Sequence, residues 1–426
     1  MAIDTAYKTI EAAGQTCTEC GSCVSRCEVP RDAQDRSIGA IARTFAELSG
    51  DGAPDTDEKR AAYLLAVAQL AQTDPSIIFA VRRCCMCSYC TVTCPVAIEA
   101  RAVFAALREI LSLAGVVTEA GFESTQVDKE WHIFSVYRAV YGIYYVDLPH
   151  MDQAQELGAD TLFFPGCPLA SYAPELTREV YSYLGEQGIN AVISEACCGS
   201  PLKSAGFGDR ARAFKQRFAE EVEAAGIKRV ICVCPGCMKE LQGAAPSMGT
   251  VEFVALPALL RDAGVSIADD ALVDAAAAQG VAAADANVRV TVFDSCFDRD
   301  GTFGSPLRSL LPAARVAEME HSGTNALCCG AGGAVSLVDP DLSVARAQRV
   351  FDEGADRADL IVTNCPTCAY TLAYQARSHP GDAAQPAHAN YLELVFENRF
   401  DWDTAFSQLE GMWSGEYGPW VIEQLT

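Results

Sequence analysis

Short apolar runs punctuate the second half of the chain, at 161–164, 191–194, 229–233, 288–293 and 360–363. Runs of this length, rich in Val, Ile and Phe and bounded by turn residues, read as buried strands. Stretches of helical period lie between them, at 176–188 closing on Gly188, at 209–225 ending before Gly226, and at 341–353. A further run at 316–319 leads to a cysteine pair as 191–194 does. Strands alternating with helices predict an α/β fold with mostly parallel sheets. The first 115 residues follow another pattern. Residues 59–72 have helical composition, Pro75 opens a short helix, and 99–114 sets Val103, Leu107, Ile110 and Leu111 on one helical face. The front end is therefore expected to be helical, with a Gly/Pro/Asp loop at 51–57.

Other stretches are less regular. Trp131, Phe134, Tyr137, Tyr141, Tyr144 and Tyr145 recur every few residues, a stripe read as core or interdomain packing, with a quinone or membrane contact as the sharper reading. His132 and His150 have no helical partner and do not read as haem ligands. Residues 268–287 are Ala-rich and read as a helix and linker, and the acidic tail past 401, with Trp402, Trp413 and Trp420, as a docking segment. The apolar runs stop well short of the ~18 residues a membrane span needs. Met1-Ala2-Ile3-Asp4 lacks a signal-peptide start, so a soluble cytoplasmic protein is expected. A net charge of −24 argues against nucleic acid.

Cysteine changes the picture most. There are twenty in 426 residues, half of which are hydrophobic, so metal binding fits better than a disulfide scaffold. Cys17, Cys20, Cys23 and Cys27 read C-x2-C-x2-C-x3-C, and Cys84, Cys87, Cys90 and Cys94 repeat the spacing with Pro95 following. This is the bacterial ferredoxin form, in which the fourth cysteine serves the neighbouring cluster. Cys17, Cys20, Cys23 and Cys94 would then hold one cubane 4Fe–4S cluster, and Cys84, Cys87, Cys90 and Cys27 the other. Four-cysteine zinc is the alternative. Cys27 departs from the pattern in being followed by Glu28-Val29-Pro30. Cys85 reads as an inert neighbour, and Arg82 and Arg83 as a solvated helix end, a partner dock or a means of raising a cluster potential.

Ten further cysteines form one module used twice. Cys167, Cys197, Cys198, Cys234 and Cys237 recur as Cys296, Cys328, Cys329, Cys365 and Cys368, with the pairs and the Cys-x-x-Cys loops offset by 131 positions. Such repetition indicates a duplicated fold. Each of these cysteines lies past a predicted strand, where ligands of parallel sheets collect. A thioredoxin-like Cys-x-x-Cys needs only two sulfurs, so five point to a multi-ligand metal centre. Gly199, Gly330, Gly332 and Gly333 either admit backbone close to sulfide or are turn glycines. Cys232 reads as buried packing.

The pattern C-x29-CC-x35-C-x2-C, then C-x31-CC-x35-C-x2-C, resembles the cysteine-rich CCG domains of heterodisulfide reductases. The whole chain resembles the heterodisulfide reductase polypeptide in which a ferredoxin domain is fused to two such domains. That resemblance implies a ferredoxin-like domain at 1–115, an aromatic connector at 116–158, and CCG domains at 159–285 and 286–426. It implies two cubane clusters, two non-cubane 4Fe–4S clusters on the ten module cysteines, and reduction of a disulfide there. It further implies a redox partner subunit, a flavoprotein or a membrane b-type cytochrome that would hold the chain at the cytoplasmic face. Relatives that serve quinone-linked glycerol-3-phosphate, glycolate or lactate dehydrogenases share the layout, so an electron-transfer subunit of that kind is the alternative.

Overall fold

A computed structural model describes residues 2–50, 52–281, 287–378, 385–396 and 398–426. Asp51, at the start of the expected loop, and part of the Ala-rich linker lie outside the described residues. The chain divides into two compact units: Met1–Lys129 with Pro201–Ala213 and Gly330–Leu342, and Glu130–Ser200 with Phe214–Cys329 and Ser343–Thr426.

The front unit is helical, as its composition predicts. Helix Ala2–Thr16 packs on Ile38–Glu47 and Ala100–Leu113. Ile10, Ile41, Phe45, Leu107, Ile110 and Leu111 are fully buried there, each worth about 1.5–3 kcal/mol of burial. Helix starts are set by side-chain caps: Ser37 accepts from Ala40 N at 3.1 Å, and Thr56 accepts from Lys59 N ahead of helix Asp57–Thr73. Asp74 caps helix Pro75–Arg83, whose C-terminus runs directly into Cys84.

The second unit holds two parallel sheets. The first has the order β2-β1-β3-β4, from β1 (Thr161–Phe164), β2 (Ala191–Ile193), β3 (Arg229–Cys232) and β4 (Glu252–Ala255). The second has the order β5-β6-β7, from β5 (Val290–Phe293), β6 (Leu360–Thr363) and β7 (Ala387–Asn390). The run at 316–319, expected as a strand, makes a single parallel bridge from Val316 to Val290. That bridge lies on the position β2 holds against β1, so the two sheets share one topology. β1, β5 and β6 are buried on both faces, which is why they read as unbroken apolar runs. Leu176, Ile193 and Leu256 of one copy and Val290, Leu360 and Leu392 of the other join one continuous core.

Part of the aromatic stripe packs within the same unit, while Trp131 and Tyr144 are exposed. Tyr137 is buried and donates to Gln408 Oε1 at 2.5 Å, and Tyr145 donates to Ala170 O at 2.9 Å. His132 caps helix Ile133–Tyr141, and the ring of His150 bonds Tyr145 O at 3.0 Å, so both histidines are structural. Part of the tail packs on the body of the unit through its aromatic residues. Trp402 stacks on Phe400 at 4.4 Å and Trp420 meets Trp131 edge-on at 5.0 Å, which leaves Trp413 exposed.

Candidate functional site

The two ferredoxin-type loops of the front unit share one backbone. Glu19 (φ 55°) and Gly21 (φ 75°) are left-handed in the first, and Met86 (φ 53°) and Ser88 (φ 58°) hold the equivalent places in the second. Three of these four carry side chains, a strain that persists only where the surroundings impose it. The turns aim amides at sulfur. Glu19 N donates to Cys17 Sγ at 3.4 Å, Met86 N to Cys84 Sγ at 3.3 Å, and Ile98 N to Cys94 Sγ at 3.4 Å. Such donors favour the thiolate, the form that binds metal.

Cys17, Cys20, Cys23 and Cys94 line one cavity, with Ser37, Gly39, Cys90 and Ile98. A β-carbon at Gly39 would collide with Cys17, so that cradle admits only glycine. Cys27 is not among the residues that line it and acts instead on Cys84 and Cys90. Burial, then the charges of Cys87 and Cys27, push the Cys84 thiol up to about 12 against the pull of Arg108, and Cys90 is raised by burial and the same neighbours. Buried thiols that repel one another when ionised are suited to a cationic iron–sulfur core, which removes both penalties at once. The backbone after the two fourth cysteines differs: helix Glu28–Asp32 starts directly at Cys27, whereas Pro95 turns the chain through Ala97 (φ 51°).

Gly332 and Gly333 lie close against the backbone of the second ferredoxin-type loop. A β-carbon on either would strike the carbonyl of Cys85 or Cys84, within the same unit. Arg82 and Arg83 are half-buried. Arg82 lies over the Phe122 ring at 5.7 Å, and Arg83 pairs with Asp339 at 2.6 Å.

In the second unit all ten module cysteines are buried. β1 ends at Pro165-Gly166 and delivers Cys167 to the start of helix Cys167–Tyr172. β3 delivers Cys234 and helix Pro235–Gln242 carries Cys237, while β6 delivers Cys365 and helix Pro366–Ser378 carries Cys368. Gly166 (φ 77°) leaves no room between strand and site, since a β-carbon would sit 3.2 Å from Cys237 Sγ. The thiols run in hydrogen-bonding reach from Cys167 through Cys197, Cys198 and Cys237 to Cys234, and from Cys365 through Cys368 to Cys329. The two groups meet where Cys234 Sγ and Cys365 Sγ are 3.7 Å apart. Cys198 is held well below the usual thiol range by donation from Cys197 and Cys237, and Cys365 by donation from Cys234 and Cys368. Cys296 and Cys328 are buried past β5 and before Cys329. The shorter gap from Cys167 to Cys197 still leaves those sulfurs in reach of each other. Cys232 is completely buried in the sheet.

The braces of the two sites escaped the sequence reading. Behind Cys198, Lys215 pairs with Glu240, both buried, and its stem would be 3.4 Å from a β-carbon on Gly199. A signal existed: the 131-residue offset also maps Lys215 onto Arg346. Around Cys296, buried Asp298 accepts from Phe303 N at 2.9 Å, Gly304 N at 2.6 Å and Asn364 Nδ2 at 2.8 Å, and Arg308 grips Asp294 at 2.9 and 2.8 Å.

Residues 161–242 and 290–373 each match the CCG cysteine-rich domain family, so the chain is a protein with two tandem CCG domains. It is 23% identical over 370 residues to an uncharacterized iron–sulfur protein of Methanocaldococcus jannaschii, covering 84% of this chain and 67% of that one. It is 29% identical over 225 residues to a polypeptide of the dihydromethanophenazine:CoB–CoM heterodisulfide reductase of Methanosarcina barkeri, covering 50% of this chain and 53% of that one. With a polypeptide of the fumarate reductase (CoM/CoB) of Methanothermobacter marburgensis it shares 24% identity over 361 residues, covering 83% and 66%. The matches thus span between about half and two thirds of these relatives. The chain is related to iron–sulfur subunits of redox enzymes. No single helix among the described residues is long and apolar enough to cross a membrane.

Proposed function

We propose that the chain takes electrons from a redox partner subunit, a flavoprotein or a membrane b-type cytochrome, and reduces a small-molecule disulfide at the paired five-cysteine sites, in the cytoplasm. The observation that supports this reading is the 3.7 Å approach of Cys234 and Cys365, one from each five-cysteine set. A disulfide takes up two electrons and two protons, its S–S bond breaks and two thiols leave; two adjoining sites suit two sulfurs. Iron–sulfur clusters, two cubane on the eight front-unit cysteines and two non-cubane on the ten module cysteines, supply one-electron carriage when bound. The chain's own residues do the rest. Helix starts and strand ends fix the thiolates, glycines at 39 and 166 leave the space beside them clear, and burial keeps water from the site. Tyr391, at the end of β7, has a buried hydroxyl with no hydrogen-bond partner among the described residues and lies near Cys234.

The test is anaerobic. The full chain should carry about sixteen irons, four in each of four clusters, and should consume reductant with a small-molecule disulfide as acceptor. About eight irons with stoichiometric zinc, or turnover with a quinone analogue and none with any disulfide, overturns the reading in favour of a quinone-linked electron-transfer subunit.

A further inference from the structure

Arg108 stands on the buried face of helix Ala100–Leu113, where an arginine is out of pattern. Its five N–H groups meet five acceptors, all main-chain carbonyls. Nε donates to Val81 O at 3.0 Å, Nη1 to Ser204 O at 2.6 Å and to Gly333 O, and Nη2 to Arg82 O and Cys84 O at 2.6 Å each. Five is the full donor count of a guanidinium. Its hydrogen bonding is complete, yet its charge is not met, because every acceptor is neutral. A buried charge without a counter-charge costs several kcal/mol. The adjacent carboxylate, Glu109, is engaged by Arg212. Of the ionisable groups that act on Arg108, Cys84 and Cys85 would be anionic only as thiolates, and Arg82 is cationic.

The same guanidinium gathers three stretches of the front unit. It closes the end of helix Pro75–Arg83, grips the first cysteine of the second ferredoxin-type loop, and reaches Ser204 and Gly333. Ser204 and Gly333 belong to the segments that follow Cys198-Gly199 and Cys329-Gly330 in the chain. The approach is close on every side. A β-carbon on Gly206 would be 2.6 Å from Arg108 O, and those on Gly332 and Gly333 would strike the loop carbonyls.

We infer that Arg108 is a positioning residue for electron transfer: it is the counter-charge of a cluster held by Cys27, Cys84, Cys87 and Cys90, raises that cluster's potential, and pins to its loop the segments that follow both Cys-Cys-Gly turns. The inference rests on the cubane assignment proposed above. A fixed positive charge in a low-dielectric site favours the more negative, reduced state of whatever the thiolates hold.

The test is a redox titration followed by electron paramagnetic resonance on the anaerobic full chain, with iron and sulfide analysis and amide exchange alongside. Arg108→Gln is expected to lower the reduced-to-oxidised ratio of one cubane signal at least tenfold at fixed potential, about 59 mV for one electron, and to leave the other unmoved. Arg108→Lys, which keeps the charge and loses the fork, is expected to hold both midpoints while exchange in 201–213 and 330–342 rises together. Arg108→Gln with full iron and unshifted midpoints overturns the inference. If Arg108→Gln loses iron, Arg108→Lys decides: held midpoints with faster exchange support the inference, and a lowered midpoint despite the retained charge overturns it. A wild-type chain without cubane signals removes the proposed function instead, a result visible before any substitution.

Discussion

The first and second cysteine-rich copies offer their sulfurs from the same strand ends and brace them by different means. In the first, a buried Lys215–Glu240 ion pair backs the Cys-Cys turn, and Glu240 rides the helix that carries Cys237. In the second, Thr371 stands at the position equivalent to Glu240, and the bracing falls to Asp294, Asp298, Asn364 and Arg308 around Cys296 and Cys365. The flanking strand differs too, a full β2 in the first and a single bridge at Val316 in the second. The parallel sheet thus sets where the sulfurs stand, and the local charge behind them is free to diverge.

The largest effect should come from breaking the ion pair. Glu240→Gln leaves Lys215 buried without its counter-charge and is expected to cost about 3–5 kcal/mol in denaturant unfolding. Lys215→Met/Glu240→Leu, which removes both charges, should recover most of that loss. A double variant as unstable as the single one would mean that the pair is not what braces the first copy.

The second copy should respond to pH through Asp298. Burial pushes the Asp298 carboxyl up to about 6 from its ordinary 3.8. A raised carboxyl binds its proton more tightly when folded, so its contribution is full below about pH 4 and is lost as pH rises through about 6. The swing is about 2–3 kcal/mol. Asp298→Asn should flatten the pH dependence of the unfolding midpoint across that window, and an unchanged slope would place the titration elsewhere.

The smallest effect is a swap between copies. Cys232 corresponds to Thr363, whose Oγ1 accepts from Cys365 N at 3.1 Å. Cys232→Thr can make the same bond to Cys234 N, so stability should change by no more than about 1 kcal/mol with iron content intact. Loss of iron would make Cys232 a ligand and the copies unequal in sulfur as well.

The elements that position the sulfurs were legible because strands buried on both faces read as apolar runs, and because ligand spacing is a local property of loops. The run at 316–319 misled, since one side of it pairs only at Val316 and the rest departs from the sheet. Tertiary charge was not legible. Nothing in the spacing of Lys215 and Glu240, or of Asp298 and Asn364, announces that they meet. Arg108 was a readable anomaly, an arginine beside Leu107 and Leu111 on an apolar face, and it gathers carbonyls of the segments 201–213 and 330–342 that group with the front unit.

The claim that the two copies act as one site is tested most directly by disabling each in turn. Cys198→Ala and Cys329→Ala, prepared anaerobically as full chains, should each abolish disulfide reduction while the front-unit clusters are still reduced. Wild-type turnover in either variant would contradict the paired site and leave one copy as scaffold.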